Sequence, residues 1–378
     1  MAHPITTVDY HTAGEPFRIV PMPPLDIPGD TVAEKRMNAI ASAEIDGLRR
    51  FLCYEPRGHA DMYGGFITDP DDEGAHFGVL FWHKDGFSTA CGHGTIALGI
   101  WALRSGLVAP DPSGSTDVVI DVPSGRVTAR VHMDADGRTT SADFVNVPST
   151  LIAESVPVET SHGTVTVDLA WGGAIYACLN VAGLSNTGGA SLSVAAENLP
   201  TFIRLGREVK AALAGDSRIE HPTDPRLSGV YGTIIYETLD GAGTSTTSPA
   251  EGAGAAEGAG AAEGAGAAEG AGATEPDGSL HQRNVTIFAD GQVDRSPCGS
   301  GTSARVGALW SQGLLAHDGE LIHDSIVGTR FRARILDEGQ ALGRPAVVPI
   351  VTGSAYEVAR SEFTLDPDDS LVPGFVLR

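Results

Sequence analysis

One short segment occurs twice in this chain of 378 residues, and it constrains the fold more than any other feature. The first copy reads CGHGTIALGIWALRSGL from Cys91, and the second reads CGSGTSARVGALWSQGL from Cys298. Seven of the 17 aligned positions are identical, including the cysteine, the two glycines after it and the threonine. The copies start 207 residues apart, which is far longer than a solenoid period. The duplication therefore predicts two domains of similar build, each with one Cys-Gly-x-Gly-Thr segment where a loop enters a helix.

Each copy has the chemistry of an anion site at the start of a helix. Thr95 and Thr302 suit the first positions of a helix, and the glycines let a ligand approach the backbone closely. Free N–H groups at a helix N-terminus, together with the helix dipole, favour an anion such as a carboxylate. We expect the same field to stabilise the thiolates of Cys91 and Cys298 and to lower their pKa values.

Two equivalent thiols favour one class of reaction over two others. A nucleophilic cysteine needs one thiol and a base, and a disulfide oxidoreductase usually keeps its two cysteines close in sequence. Inversion of a stereocentre requires a base on one face of the carbon and an acid on the other. A thiolate and a thiol facing each other across an amino acid would meet that requirement. A carboxylate held between two helix N-termini would also be stabilised as the carbanion forms.

Composition and charge exclude several classes of binding partner. The formal net charge is −23, which argues against a nucleic-acid binder and against a peripheral protein of anionic membranes. No apolar run reaches the length of a membrane helix and no signal peptide is evident, so we expect a cytoplasmic protein. The four cysteines do not form a disulfide framework, and none has the spacing of zinc ligands, so no metal is predicted.

Residues 241–279 differ from the rest of the chain. They contain AEGAGA four times and no branched aliphatic or aromatic residue, so we expect a flexible, solvated insertion. The flanking segments 229–239 and 283–291 are rich in Val, Ile, Thr and aromatic residues, which is typical of strands. The insertion is therefore interpreted as an enlarged connection between two strands.

The remaining chain alternates short strands with a few helices, which indicates an α+β fold with more strand than helix. Strands are predicted at 77–83, 117–123, 126–133, 163–171 and 174–181. Helices are predicted at 30–53, 94–106, 193–215 and 301–313.

At four ordered motifs the chain resembles the proline racemase family, which includes 4-hydroxyproline 2-epimerases and trans-3-hydroxyproline dehydratases. The motifs are DYHTAGEPFR (9–18), EPRGHADMYGG (55–65), CGHGT (91–95) and VDRSPCGSGT (293–302). The resemblance covers nearly the whole chain apart from 241–279.

The resemblance implies a diaminopimelate-epimerase-like fold: two pseudo-symmetric domains, each a curled β-sheet around a central helix, with the site in the cleft between them. We place the first domain at 1–150, completed by about 345–378, and the second at 151–344 with the insertion inside it. The family needs neither pyridoxal phosphate nor a metal, so no cofactor is expected.

By the same resemblance, Cys91 and Cys298 are the two acid/base residues. The backbone N–H groups of Gly92, His93, Gly299 and Ser300 would hold the substrate carboxylate. His93 and Asp294 would hold the ring nitrogen, and a carboxylate at Asp294 suits a cationic amine. Tyr63 and Phe288 would wall the substrate ring, and His221 is a further candidate contact.

The expected substrate is a small imino acid. Many proline racemases have Phe where this chain has Tyr63, and the added hydroxyl favours 4-hydroxyproline over proline. The dehydratase branch typically has Thr in place of the second cysteine, so Cys298 favours epimerisation. The sequence therefore predicts a cofactor-independent 4-hydroxyproline 2-epimerase. Proline racemisation and dehydration of trans-3-hydroxyproline remain the alternatives, and a homodimer is left open.

Overall fold

The computed structural model describes residues 4–185, 189, 191–239 and 279–377. These residues form 18 β-strands, five α-helices and three short 3-10 helices. The helices α1 to α5 span Val32–Ala41, Ala43–Cys53, Gly92–Arg104, Leu199–Ala212 and Gly299–Ser311. The strands β1 to β9 span Ile5–Thr12, Glu15–Val20, Tyr63–Thr68, Phe77–His83, Gly86–Phe87, Ser115–Val122, Gly125–Met133, Thr139–Val145 and Thr150–Thr160. The strands β10 to β18 span Gly163–Trp171, Ile175–Asn180, Val230–Thr238, Leu280–Phe288, Gln292–Asp294, Glu320–Ser325, Arg330–Ala341, Arg344–Gly353 and Ala355–Phe363.

Strand pairing gives two runs of the same topology. The first run has the order β18-β1-β2-β3-β4-β6-β7-β8. The second has the order β9-β10-β11-β12-β13-β15-β16-β17. In each run the third and fourth strands are parallel, as are the fifth and sixth, and the other pairs are antiparallel. β8 pairs with β17, so the two runs form one continuous sheet.

One helix lies at the centre of each run. α3 packs against strands of the first run and α5 packs mainly against strands of the second. Nearly every residue of both helices is buried. A helix buried on all sides belongs in a protein interior. The predicted α+β fold, with a curled sheet around a central helix in each half, is confirmed.

The helix boundaries differ from the sequence prediction in several places. The helix predicted at 193–215 is the shorter α4, Leu199–Ala212, and a 3-10 helix at Ala196–Asn198 precedes it. The single helix predicted at 30–53 is two helices, because the backbone is extended at Ser42. The Ser42 hydroxyl accepts the N–H of Ile45 at 3.3 Å and caps the start of α2. α3 and α5 each begin two residues earlier than predicted, at Gly92 and Gly299. The cysteines are therefore the N-cap residues themselves.

The strands on either side of the Gly/Ala/Glu-rich segment pair with each other. β12 and β13 are antiparallel, with Thr238 opposite Gln282. Residues 240–278, and with them almost all of the predicted insertion, lie outside the described residues. In the part of the chain that is described, no helix is long and apolar enough to cross a membrane.

Candidate active site

Cys91 and Cys298 occupy equivalent positions at the starts of the two central helices. Both are buried, with 4% and 6% of their surface exposed. The N–H of Thr95 donates to the Cys91 carbonyl at 3.0 Å, and the N–H of Thr302 donates to the Cys298 carbonyl at 2.7 Å. The sequence duplication therefore corresponds to a duplicated structure.

The first glycine of each motif lets the two helices meet end to end. A Cβ added to Gly92 would lie 2.5 Å from the Cα of Gly299, and a Cβ on Gly299 would lie 2.6 Å from the Cα of Gly92. Both distances are shorter than any tolerable contact, so only glycine fits. The first N–H groups of a helix have no acceptor within that helix. Those of Gly92, His93, Gly299 and Ser300 are thereby gathered in one place.

The second glycine of each motif makes room for the sulfur. A Cβ on Gly94 would lie 2.8 Å from Cys91 Sγ, and a Cβ on Gly301 would lie 2.9 Å from Cys298 Sγ. The N–H of Gly94 donates to Cys91 Sγ at 3.3 Å. Each thiol thus lies over the first turn of its own helix, where the N–H groups are directed.

Cys298 has an unusual backbone conformation. Its φ is 66° with ψ of 106°, a combination that L-residues rarely adopt. The Ser296 hydroxyl accepts the N–H of Cys298 at 3.1 Å and itself donates to Asp294 Oδ1 at 2.7 Å. Backbone strain of this kind concentrates at functional sites, where the surrounding structure holds it in place.

Both cysteines line the same small cavity. Seven of the other predicted site residues contribute to this site. Six of them line the cavity: Tyr63, Gly92, His93, Phe288, Asp294 and Ser300. Gly299 lies against Gly92 at the junction of the two helices.

The structure does not bring His221 to the cavity. Its ring packs against Trp171 at a centroid distance of 5.2 Å, and its Nδ1 accepts the N–H of Asp224 at 3.0 Å. These contacts organise the loop that precedes β12. His221 thus lies outside the residues that line the cavity, and its predicted substrate contact stays a prediction.

Besides Tyr63, the wall of the cavity carries two tyrosines that were not predicted from the sequence, Tyr176 and Tyr231. Tyr63 Oη is hydrogen-bonded to Tyr231 Oη at 2.9 Å and to the Ser88 hydroxyl. Tyr176 Oη is 2.7 Å from the Ser300 hydroxyl and 3.9 Å from Cys298 Sγ. Burial raises the pKa of all three tyrosines well above the ordinary value, so they remain neutral hydroxyls.

The two additional tyrosines have one sequence feature in common, which is that each lies near the start of a strand-like segment. Tyr176 and Tyr231 lie near the starts of β11 and β12, which are neighbouring parallel strands. Parallel strands place their corresponding ends at the same edge of a sheet. Tyr231 also stacks on Phe288, with ring centroids 5.8 Å apart and planes inclined by 17°.

One protein family matches nearly the whole chain. The model of the family described as "Proline racemase" matches residues 7–251 and 268–376. The chain belongs to the proline racemase family. It is an enzyme of the amino-acid racemase and epimerase class.

Curated members of the proline racemase family match along their whole length. A 3-hydroxyproline 2-epimerase from Burkholderia multivorans is 40% identical, over 99% of this chain and 98% of its own. Trans-3-hydroxy-L-proline dehydratases from Burkholderia cenocepacia and Azospirillum brasilense are also 40% identical with the same coverage. Relatives at equal distance therefore carry names from two reaction types.

Solved structures of the same family have the same fold. A probable proline racemase from Agrobacterium radiobacter, with bound carbonate, has a TM-score of 0.81 at 26% identity, covering 99% of this chain and 96% of its own. A hydroxyproline epimerase from Agrobacterium vitis, with bound trans-4-hydroxy-L-proline, has a TM-score of 0.80 at 26% identity, covering 100% and 96%.

Burial controls the ionisation of both thiols in this proline racemase family member. It raises the pKa values of Cys91 and Cys298 well above that of an ordinary cysteine, and the charge of Asp294 raises both further. The N–H groups of Gly94 and Gly301 act in the opposite direction. The predicted lowering of the thiol pKa values is therefore wrong, because the loss of water around the thiolate outweighs the helix terminus.

Asp294 and His93 provide the remaining polar chemistry of the site. Burial raises the pKa of Asp294 to about 6, although the Ser296 hydroxyl and N–H lower it in part. Burial lowers the pKa of His93 to about 3, so its imidazole is neutral near pH 7. The His93 ring nitrogens are 3.5 Å from Cys91 Sγ, and Nδ1 is 4.0 Å from Asp294 Oδ2. Near neutral pH the cavity thus presents one carboxylate beside a neutral imidazole.

Across the described ranges, no cluster of three or more His, Cys, Asp or Glu side chains could hold a metal ion. Function without a cofactor, a cytoplasmic location and the open question of a homodimer stay as predictions from the sequence.

Proposed function

We propose that this protein inverts the α-carbon of a hydroxyproline by direct proton transfer between two thiols. The observation that carries the proposal is the placement of Cys91 and Cys298 at the starts of two abutting helices, lining one cavity. A single thiol with a base would suit nucleophilic catalysis, whereas two thiols on opposite sides of one carbon suit inversion.

The cavity offers a complementary group to each charge of an imino acid. The N–H groups at the starts of α3 and α5 would bind the carboxylate and stabilise the negative charge that develops on it. Asp294, buried and ionised above about pH 6, would pair with the ring ammonium. Tyr63, Tyr231 and Phe288 would surround the ring.

The proposed reaction moves two protons. The thiolate of one cysteine removes the α-proton and becomes a thiol, which leaves the electron pair delocalised into the carboxylate. The thiol of the other cysteine then donates its proton to the opposite face of the α-carbon and becomes a thiolate. Burial makes each thiolate a stronger base than it is in water, which suits a weakly acidic carbon.

The expected position of the ring hydroxyl is C3. The 40% identical relatives are named for 3-hydroxyproline, which moves our preference away from the 4-hydroxyproline predicted from Tyr63 alone. A single tyrosine hydroxyl cannot specify a ring carbon. Tyr63, Ser88 and Tyr231 form a linked hydroxyl chain, and their bonds to one another leave several positions where a ring hydroxyl could bind. 4-Hydroxyproline remains a candidate because the Agrobacterium vitis structure holds it.

Dehydration of trans-3-hydroxy-L-proline is the second candidate function, because equally similar relatives carry that name. Both reactions begin with removal of the α-proton. Dehydration then expels the 3-hydroxyl, whereas epimerisation needs an acid on the opposite face. We favour epimerisation because Cys298 supplies that acid.

Proton NMR in D₂O tests the proposal, with L-proline, trans-4-hydroxy-L-proline and trans-3-hydroxy-L-proline offered separately. We expect the α-proton signal of the 3-hydroxy compound to disappear while a deuterated epimer appears. Consumption of that compound without an epimer would assign the protein to the dehydratases. Absence of exchange with all three compounds would overturn the proposed function.

A further inference from the structure

Three buried carboxyl groups lie close together, and one of them, that of Asp294, lines the cavity. Glu15 is 0% exposed, Asp61 is 2% exposed and Asp294 is 3% exposed. The cation among them is Arg295, whose guanidinium is 2.9 Å from Asp61 and 3.8 Å from Glu15. Three carboxylates around one guanidinium would leave excess negative charge where water is excluded, and such charge is strongly disfavoured.

The three groups differ in the hydrogen bonds that stabilise a negative charge. Asp294 Oδ1 accepts the N–H and the hydroxyl of Ser296 at 2.8 and 2.7 Å. Asp61 accepts the N–H of Val293 at 3.2 Å and a guanidinium N–H of Arg295. Glu15 Oε2 accepts the backbone N–H of Arg295 at 2.7 Å, and Glu15 Oε1 has no hydrogen-bond partner among the described residues. A negative charge on Glu15 would thus be the least stabilised by hydrogen bonds of the three.

We propose that Glu15 is a positioning residue that carries a proton in the resting enzyme, so that Asp294 is the single anion of the cavity wall. This inference rests on the proposed function in so far as Asp294 pairs with the substrate ammonium. Glu15 acts through Asp294, because its Oε2 fixes the peptide N–H that directly follows Asp294.

The surroundings of Glu15 also favour its protonated form. Burial, reinforced by the charge of Asp294, raises the pKa of Glu15 well above the ordinary value. The charged groups that face Glu15 are Asp294, Arg295 and Asp61. An ionised Glu15 would also raise the pKa of Cys91. Keeping Glu15 neutral therefore favours the thiolate that the reaction needs.

Infrared spectroscopy tests the proton without any assay of activity. At about pH 8 exposed carboxyl groups are ionised, so the carbonyl stretch of a carboxylic acid reports only buried, protonated groups. We expect the wild-type protein to show this band, with a shift in D₂O, and Glu15→Gln to lack it. A difference spectrum containing only carboxylate bands would mean that Glu15 is ionised, and it would overturn the inference.

Kinetics tests the positioning role. Glutamine resembles a protonated glutamate in shape and charge, so Glu15→Gln should retain kcat/KM within about threefold. Glu15→Ala should lose roughly tenfold or more in kcat/KM, because the N–H of Arg295 loses its acceptor. Equal loss in both variants would contradict the proposal. Asp61→Asn is the matched control: we expect it to lose activity, because a neutral amide cannot replace an ionised partner of Arg295.

The proposed function and the proton on Glu15 can be contradicted independently. If wild-type protein exchanges no α-proton with any imino acid, the proposed function fails while the infrared band still reports on Glu15. If wild-type protein is active but lacks the band, the inference about Glu15 fails alone. Should Glu15→Gln not fold, the wild-type carboxylic acid band is followed as the pH is raised. If the band disappears before the pH reaches 7, Glu15 is ionised at neutral pH and the proposal is overturned.

Discussion

Cys91 and Cys298 occupy equivalent positions, yet their immediate surroundings differ. Cys91 lies beside the neutral imidazole of His93 and accepts the N–H of Gly94. Burial raises the pKa of Cys298, the charge of Asp294 raises it further, and the nearby Tyr176 hydroxyl acts in the opposite direction. Different neighbours therefore act on the pKa values of the two thiols.

Removal of either site thiol should abolish turnover. Cys91→Ala and Cys298→Ala should each lower kcat for epimerisation by about 10²- to 10⁴-fold, because each deletes one partner of the proton transfer. The measurement is the rate of epimer formation by NMR. The chain offers two matched controls in Cys53 and Cys178, which are also free and buried but lie outside the cavity. Cys53→Ala and Cys178→Ala should lose about 1 kcal/mol of stability and keep their turnover.

The pH dependence of activity should have a defined sign. Asp294 must be ionised to pair with an ammonium group, so kcat/KM should fall as the pH drops below about 6. The pKa values of both thiols lie above the ordinary cysteine value, so activity should continue to rise into the alkaline range. A pH–rate profile from about pH 5 to 10 measures both limbs. Asp294→Asn should remove the acid limb and keep the alkaline rise, and a maximum near pH 5 would contradict this assignment.

Much of the site could be predicted from residue types in ordered motifs. Cys91, Cys298, His93 and Asp294 all line the cavity, because motif order and spacing fix positions along the chain. The thiol pKa values could not be predicted, because they depend on how much water the folded chain excludes. The role of His221 could not be read either, since an isolated histidine gives no indication of its neighbours.

At the scale of secondary-structure elements, the glycine pattern of the duplicated motif has a full physical account. The first glycine allows the two helices to abut, and the second allows the thiol to lie over its helix. The sequence predicts that these glycines let a ligand approach the backbone. It could not show that the closest neighbour is the other copy of the motif, because that contact joins residues 207 positions apart.

Adding a methyl group at the helix junction should disable the site. Gly92→Ala and Gly299→Ala each place a Cβ about 2.5 Å from the backbone of the opposite helix, so the helices must separate and the four N–H groups must diverge. We expect roughly 100-fold or greater loss in kcat/KM, because displacing catalytic or binding groups by even 1 Å can lower the rate by about that factor.

Gly47 provides the control for this experiment. It lies within α2, and a Cβ there would meet nothing within 4 Å. Gly47→Ala should raise the melting temperature, because alanine is favoured over glycine in a helix by up to about 1 kcal/mol, and leave turnover intact. If Gly92→Ala behaved like Gly47→Ala, the account of the junction would be wrong.

At the scale of the whole molecule, the last strand of the chain, β18, joins the first half of the sheet. β18 pairs with β1 along its full length, whereas β17 pairs with both β16 and β8. β17 also packs against α5, and β18 packs against α3. We therefore propose to end the second domain near Gly353 rather than at residue 344, with the remainder of the chain completing the first domain. Sequence patterns carry no record of which strand β18 joins.

Truncation tests this division. A chain ending at residue 354 should lose cooperative unfolding of the first half, because β1 would become an exposed edge strand and the buried Val8 and Tyr10 would lose cover. A chain ending at residue 363 keeps β18 and should retain a cooperative transition. Thermal unfolding followed by circular dichroism compares the two. Identical melting of both chains would argue against the proposed division.

The matched halves of the sheet bear on how the two forms of a substrate would be bound. For an unsubstituted ring the two forms are mirror images of equal free energy, so kcat/KM must be the same in both directions whatever the shape of the pocket. A ring hydroxyl breaks that equivalence, because the two epimers are diastereomers and place the hydroxyl differently relative to the cysteines. Tyr63 comes from the first half and Tyr231 from the second, and their hydroxyls bond across the divide. Under the proposed function, we expect this bridge to be one place where the pseudo-symmetric halves would bind the two diastereomers differently.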